Sequence, residues 1–368
     1  MNLDFLEKYD FFTGVPDSYL KAVCDYLMEK YGVSKQHVIA ANEGNAVGLA
    51  AGYHLATGKI PVVYLQNSGI GNILNPVSSL MHEKVYRIPC LYLVGWRGEP
   101  ETKDEPQHIH QGVATVSMLE SGGISVFFLK KSTLEDEFKQ IVQEMEDILS
   151  NGGQVALVVS KGGLEYPNSI RYSNQHTESR ESVLEMLLNI TKKDPIVSTT
   201  GKSSRELYEL REKLGEQHQQ DFLTVGSMGH SSSIALGLAE NCPDKTVWCL
   251  DGDGAMLMHL GGAALVGQRK PNNLIHILLN NESHESVGGA PTISKGLDWC
   301  KIAEGCGYPN CWQVSTLKEL NSFATMAKNK GELCFIEVKC GIGSRENLGR
   351  PKESPQENKK LFMEFLKG

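Results

Sequence analysis

Residues 250–283 read LDGDGAMLMHLGGAALVGQRKPNNLIHILLNNES. An apolar strand ends at Asp251, a tight Gly252-Asp253-Gly254 turn follows, a helix runs back, and a second apolar strand delivers Asn280 and Asn281 to the same sheet edge. Ligands of an open parallel sheet lie outside the carboxyl ends of its strands, so this βαβ unit sets Asp253 beside the asparagine pair. One carboxylate, one amide oxygen and backbone carbonyls form a hard-oxygen set suited to Mg²⁺. The glycines let the backbone close on a diphosphate at a helix N-terminus. A bare Gly-Asp-Gly is usually just a turn. The same triplet with Asn-Asn one βαβ unit later, each at a strand end, is a specific signal.

Outward from this segment the same rhythm repeats. The first half alternates HVIAA, a small-residue helix from Asn45 to Thr57, IPVVYLQ, a Gly/Asn loop, a helix around NPVSSLMHEKVY, IPCLYLVG, ISVFFL, a charged helix from Thr133 to Leu149, and QVALVVS. The second half carries ESVLEMLLNI, PIVSTT, SSRELYELREKL, TVWCLD, NLIHILLNN and CFIEV. Alternating strands and helices predict an α/β protein of two doubly wound parallel-sheet domains, residues 1–162 and 181–368, joined by a polar linker, 163–180. The tail from Arg350 begins Pro-rich and ends as a short amphipathic helix, read as docked.

Composition narrows the function classes. With 368 residues, 40% hydrophobic and 22% charged, the chain is long enough for two packed cores and is neither disordered nor fibrous. The net charge of −8, without a run of Lys or Arg, gives no footprint for a nucleic-acid partner. A small anionic substrate would need a local basic pocket. Nine cysteines without C-x-x-C spacing read as buried cytosolic thiols. The acidic N-terminus and the lack of an 18-residue apolar run argue against a signal peptide and against membrane partners. The expected location is cytoplasmic.

The Gly252-Asp253-Gly254 to Asn280-Asn281 pattern resembles the cofactor motif of the thiamine-diphosphate enzymes. By that resemblance Asp253 and Asn281 ligate Mg²⁺ through side chains and Ser283 through its main-chain carbonyl, with Gly252 and Gly254 shaping the diphosphate loop. ANEGNAVGLAAGY, from Ala41 to Tyr53, resembles the family's Glu followed by an Asn/Ala-rich helix and Gly-Tyr. Glu43 then corresponds to the carboxylate that bonds N1′ of the aminopyrimidine and activates the cofactor. VGSMGHSSSIALGLA, 225–239, resembles the turn whose apolar residue wedges between the cofactor rings. Met228 fits that place, with Ser227 beside it as a further cofactor contact. The resemblance implies a pyrimidine-binding domain followed by a diphosphate-binding domain, and a homo-oligomer, at least a dimer, with the active site at the subunit interface.

Many such enzymes insert a third domain, and here only a linker of about twenty residues intervenes. The two-domain layout resembles the phosphonopyruvate and sulfopyruvate decarboxylase branch. The carrying segments are TGVPDSYL (13–20), YLQNSGIGNILNP (64–76), KDEPQHIHQG (103–112), STTGKSSRELYEL (198–210), NNESHESVGGAPT (280–292) and SRENLGRPKESPQENKKLF (344–362). His284 and the tail favour the phosphonate side of that branch. The resemblance implies decarboxylation of a small anionic 2-oxo acid, with Asp17, His108 and His110 as proton carriers. A phosphonate dianion calls for cations, and Arg97, Lys202, Arg205, Arg345 and Arg350, in loops beside these motifs, are the candidates, with His284 as a further polar contact.

Overall fold

The computed structural model describes residues 1–368, which divide into two compact units, Met1–Arg171 with Val287–Ala290, and Tyr172–Ser286 with Pro291–Gly368. The change falls at Arg171–Tyr172, inside the stretch read as a linker. No helix is long and apolar enough to cross a membrane.

The first unit carries strands β1 (Phe12–Gly14), β2 (His37–Ile39), β3 (Val62–Gln66), β4 (Cys90–Gly95), β5 (Ile124–Leu129) and β6 (Gln154–Val159) and helices α1 (Lys21–Tyr31), α2 (Glu43–Thr57), α3 (Ile70–Pro76), α4 (Pro106–Ser121) and α5 (Glu135–Ser150). The strands form one parallel sheet in the order β2-β1-β3-β4-β6-β5. Successive side chains of a strand point to opposite faces. Val62, Tyr64, Leu91, Leu93, Val155 and Leu157 accordingly enter one buried cluster, while Val63, Leu65, Tyr92, Val94, Ala156 and Val158 enter the other. Burial on both faces explains why these strands read as continuous apolar runs.

The second unit contains α6 (Arg180–Thr191), β7 (Ile196–Ser198), α7 (Lys202–Leu214), β8 (Asp221–Leu223), α8 (Ser231–Asn241), β9 (Val247–Gly252), α9 (Asp253–Met258), α10 (Gly261–Arg269), β10 (Leu274–Asn280), β11 (Ser283–His284), α11 (Trp299–Cys306), β13 (Asn310–Val314), α12 (Leu317–Lys330), β14 (Cys334–Lys339) and α13 (Pro355–Lys367); β12 (Ala290–Pro291) stands where the chain passes between the units. Its parallel sheet runs β13-β14-β10-β9-β7-β8. Register pairs Leu279 with Gly252, so Asn280 at the end of β10, Asn281 just after it and Asp253 just after β9 emerge side by side.

Several local expectations are corrected. The helix read around 75–86 is α3 plus one wide turn over Val77–Met81, and His82 is extended. Pro76 has no N–H to donate; the Val77 amide still reaches Ile73 O, and the wide turn closes with a five-residue bond from His82 N to Val77 O, 2.9 Å. The small-residue helix starts at Glu43, two residues earlier than read, because Asn42 accepts the Asn45 amide as its cap. His108 and His110 lie at the start of α4, which is entered through Pro106. Lys202 and Arg205 likewise lie on α7. Of the nine free thiols, Cys242, Cys300, Cys306 and Cys311 are half-buried and the other five buried.

Candidate active site

In the first unit, Glu43 stands at the start of α2, 4% exposed. Burial raises its carboxyl above the usual range, opposed by a hydrogen bond from Asn72 Nδ2 to Oε2, 2.7 Å. A Cβ on Gly69 would lie 2.3 Å from Glu43 Oε1, so only glycine permits this approach. A helix N-terminus ordinarily favours an ionised glutamate, but here desolvation outweighs it.

Asp17 is wholly buried nearby in the same unit. It accepts hydrogen bonds from Gln66 Nε2 (2.6 Å) and the Tyr19 amide (3.0 Å), and burial raises its pKa. Gly95 makes room for it, since a Cβ there would sit 2.0 Å from Oδ2. Arg97 stacks its guanidinium 5.0 Å from the Tyr19 ring centre and binds Asp104 through Nε (2.8 Å) and Nη2. This pair holds the Asp104 carboxyl well below the usual range despite partial burial.

His108 is buried, its Nδ1 without a partner, and burial together with the Arg97 charge lowers its pKa to about 4. It is therefore neutral at pH 7. His110 lies two residues along the same helix, roughly 200° around it, and is exposed. Of the two histidines read as candidate proton carriers, the structure thus buries His108 and exposes His110.

In the second unit, Asp251 closes β9. Its Oδ1 accepts from Ser231 Oγ (3.0 Å) and from the Gly252 amide (2.9 Å), which secures the start of the Gly-Asp-Gly turn. Asp253 opens α9 and is buried. Burial lifts its carboxyl to about 7, against hydrogen bonds from Thr292 Oγ1 (2.5 Å) and the amides of Gly254 and Asn281. The carboxylate and Asn281 are thus in direct contact.

Asn281 donates Nδ2 to Glu285 Oε2 (2.8 Å), and its Oδ1 accepts the Ser283 amide (3.1 Å). Its carbonyl accepts from Asn174 (2.9 Å), a residue read as linker. Asn280 faces inward instead, bonded to Glu337 and Ser294. Met228 sits between Ser227 (φ +52°) and Gly229 (φ +91°), two left-handed residues that turn its side chain toward Gly254. A Cβ on Gly254 would meet Met228 Cε at 3.4 Å and His284 Cε1 at 3.5 Å. His284 is buried, and burial lowers it to about 4.

The donor set fits a hard divalent cation. Asp253 is a buried carboxylate with no basic side chain bonded to it, and the Asn281 amide oxygen faces the same end of the sheet. Asp253, Asn281 and the Ser283 carbonyl would hold the metal, and the Gly252–Gly254 turn a diphosphate.

The remaining cations are already engaged. Lys202 binds Glu285 (3.0 Å). Arg205 donates to the carbonyls of Leu348 and Gly349, and Arg345 binds Glu181 (2.9 Å) and Glu209. These contacts tie the tail to the second unit, and Asn358 adds bonds to the backbone of Leu223 and Asp221. Arg345 is therefore a strut, not a free cation; Arg350 is exposed. Asn72, Thr292, Asn174 and Glu285 were missed as site residues. Asn72, Thr292 and Glu285 stood in quoted motifs, but nothing in sequence marks their long-range partners.

Residues 3–118 match the thiamine pyrophosphate enzyme N-terminal TPP binding domain, and residues 199–338 the C-terminal TPP binding domain. The phosphonopyruvate decarboxylase of Streptomyces viridochromogenes is 33% identical, the alignment covering 96% of this chain and 90% of that protein. That of Streptomyces hygroscopicus is 33% identical over 96% and 89%. The sulfopyruvate decarboxylase of Methanosarcina acetivorans is 28% identical over 88% and 86%. A fold of two parallel six-stranded sheets joins the two matched domains and these relatives: the chain belongs to the thiamine-pyrophosphate-dependent decarboxylases, carbon–carbon lyases.

Proposed function

We infer that the chain converts 3-phosphonopyruvate to phosphonoacetaldehyde and CO₂ with Mg²⁺ as its metal, in the biosynthesis of phosphonates of the 2-aminoethylphosphonate type. What carries this reading is the 33% identity to the two Streptomyces enzymes across 96% of the chain, against 28% over 88% for the sulfonate enzyme. The cytoplasm is the expected compartment, in keeping with nine free thiols.

Bound thiamine diphosphate supplies a nucleophilic carbon and an electron sink for the pair left when CO₂ departs. The chain's own residues do the rest. Glu43, raised by burial yet held by Asn72, shares a proton with the aminopyrimidine. Asp253, Asn281 and Ser283 hold the metal, and Met228 positions the rings. The bond between the keto carbon and the carboxylate breaks, and a proton takes the place of CO₂. Asp17, raised by burial, and neutral His108 are the buried groups suited to carry that proton. Arg97, the cation that acts on Asp17, is the candidate for the phosphonate, and would share its guanidinium with Asp104.

A homo-oligomer, at least a dimer, with its active site at the subunit interface, is part of this reading. It is supported by exposed Leu49 and Leu55 on α2 and Ile109 and Val113 on α4, apolar residues that a partner would cover. Sulfopyruvate is the second candidate substrate because its decarboxylase also aligns over most of the chain. A non-catalytic regulatory subunit would have no need to keep Glu43, Asp253 and Asn281 in these contacts. The test is ³¹P NMR of purified protein given phosphonopyruvate, with and without thiamine diphosphate and Mg²⁺. A phosphonoacetaldehyde signal that requires both supports the reading. CO₂ released only from sulfopyruvate overturns it.

A further inference from the structure

The stretch read as a linker ends in the second unit as part of a buried ionic cluster. Arg180, first residue of α6, grips Glu206 of α7 through Nε and Nη2 (both 2.7 Å) and Glu285 through Nη1 (2.7 Å). Lys202 adds a second cation to Glu285 at 3.0 Å. Arg180, Glu206 and Glu285 side chains are all less than a tenth exposed. Two cations and two carboxylates balance, which buried charge requires. Glu285, four residues after Asn281, is thereby held by two cations.

Glu285 Oε2 also accepts the Asn281 side-chain N–H, while the Asn281 amide oxygen accepts the Ser283 N–H. A carboxylate can only accept and a backbone amide can only donate, so the two partners leave the Asn281 amide a single orientation. Its nitrogen faces Glu285. Its oxygen, with a lone pair to spare, faces away from the ionic cluster.

We propose that Glu285, braced by Arg180 and Lys202, is a positioning residue that presents the amide oxygen of Asn281, and not its nitrogen, to the divalent cation. This rests on the reading of Asn281 and Asp253 as metal ligands. Partners that orient a ligand commonly change metal affinity 10- to 100-fold when removed.

Glu285→Asp is the telling variant. It keeps the charge but withdraws the acceptor by one methylene, out of reach of Asn281. Mn²⁺ binding to the full chain with saturating thiamine diphosphate, followed by electron paramagnetic resonance, gives the affinity directly. The dissociation constant should rise about tenfold in Glu285→Asp. The loss should vanish in the Asn281→Ala background, because a residue acting through Asn281 has nothing left to orient. An unchanged Mn²⁺ affinity in Glu285→Asp, or an equal loss with and without Asn281, overturns the proposal. Asp253→Ala tests the reading beneath it: if that variant binds Mn²⁺ as the wild type does, the metal assignment fails; if it loses Mn²⁺ while Glu285→Asp does not, only the positioning role fails. Should Glu285→Asp not fold, Lys202→Met, which loosens the same carboxylate from the half-exposed side, should raise the constant at least threefold in the presence of Asn281 and not in its absence. An unchanged constant in Lys202→Met, or an equal rise with and without Asn281, again overturns the proposal.

Discussion

Asn72 donates a 2.7 Å hydrogen bond to the carboxylate of Glu43, 29 residues before it in the chain and otherwise shut away from water beneath Gly69. Burial favours the protonated acid, and the Asn72 bond favours the ion, so the two keep the group able both to give and to take a proton. Asn72→Ala should therefore lower kcat/KM by about tenfold, the value of one hydrogen bond to a charged group. The acidic limb of the pH profile should move to higher pH, since burial of Glu43 is then opposed only by the bond from its own backbone amide. An unmoved limb would show that Glu43 does not set it.

The same burial predicts a trade between activity and stability. Glu43 has a folded-state pKa above its unfolded value, so the fold binds its proton more tightly than the unfolded chain does. The stabilisation from that group is complete below the unfolded pKa and is lost as pH rises through the folded one. Cofactor-free Glu43→Gln should then melt above the wild type at pH 8, and the gap should shrink as pH falls toward 4. Calorimetry across that range checks it; a gap that is independent of pH contradicts it.

Asp253→Ala should raise the apparent dissociation constant for thiamine diphosphate at least tenfold in Mg²⁺ buffer, because one hard ligand is gone and the phosphate charges are less neutralised. Titration followed by protein fluorescence measures it. Unchanged binding would reduce the Gly-Asp-Gly turn to a turn.

How far the sequence reached depends on the range of the interactions involved. Strand order aside, both α/β units were legible, because Val62–Gln66, Cys90–Gly95 and Leu274–Asn280 are buried on two faces and read as apolar runs. Glu43, Asp253 and Asn281 were singled out by the resemblance of their motifs, and all three are buried in the structure. Helix α4 was not: its first turn, PQHIHQG, is polar, and Pro106 looks like a loop residue until it is seen at a helix start. Nor was Glu285, whose partner Arg180 is 105 residues away. Arg345 was misread as available because its carboxylate partners, Glu181 and Glu209, lie 164 and 136 residues earlier.

That pairing gives the tail a structural role. Deleting the chain from Ser344 removes the bonds to Arg205, Glu209, Leu223 and Asp221, and should lower the melting temperature by about 5–10 °C. Arg345→Gln alone should leave KM within about twofold, since an exposed pair contributes little and its guanidinium is already engaged. A large rise in KM would mean that Arg345 leaves Glu181 and Glu209 for the substrate.

The central claim is that Glu43 activates the cofactor of a decarboxylase. Deuterium exchange at C2 of thiamine diphosphate, bound to wild type and to Glu43→Gln with Mg²⁺, tests it most directly. Rapid exchange is expected in the wild type and a loss of at least a hundredfold in Glu43→Gln, with cofactor binding and the fold retained, because an amide occupies the site but cannot share the proton. Equal exchange rates in the two proteins would contradict it.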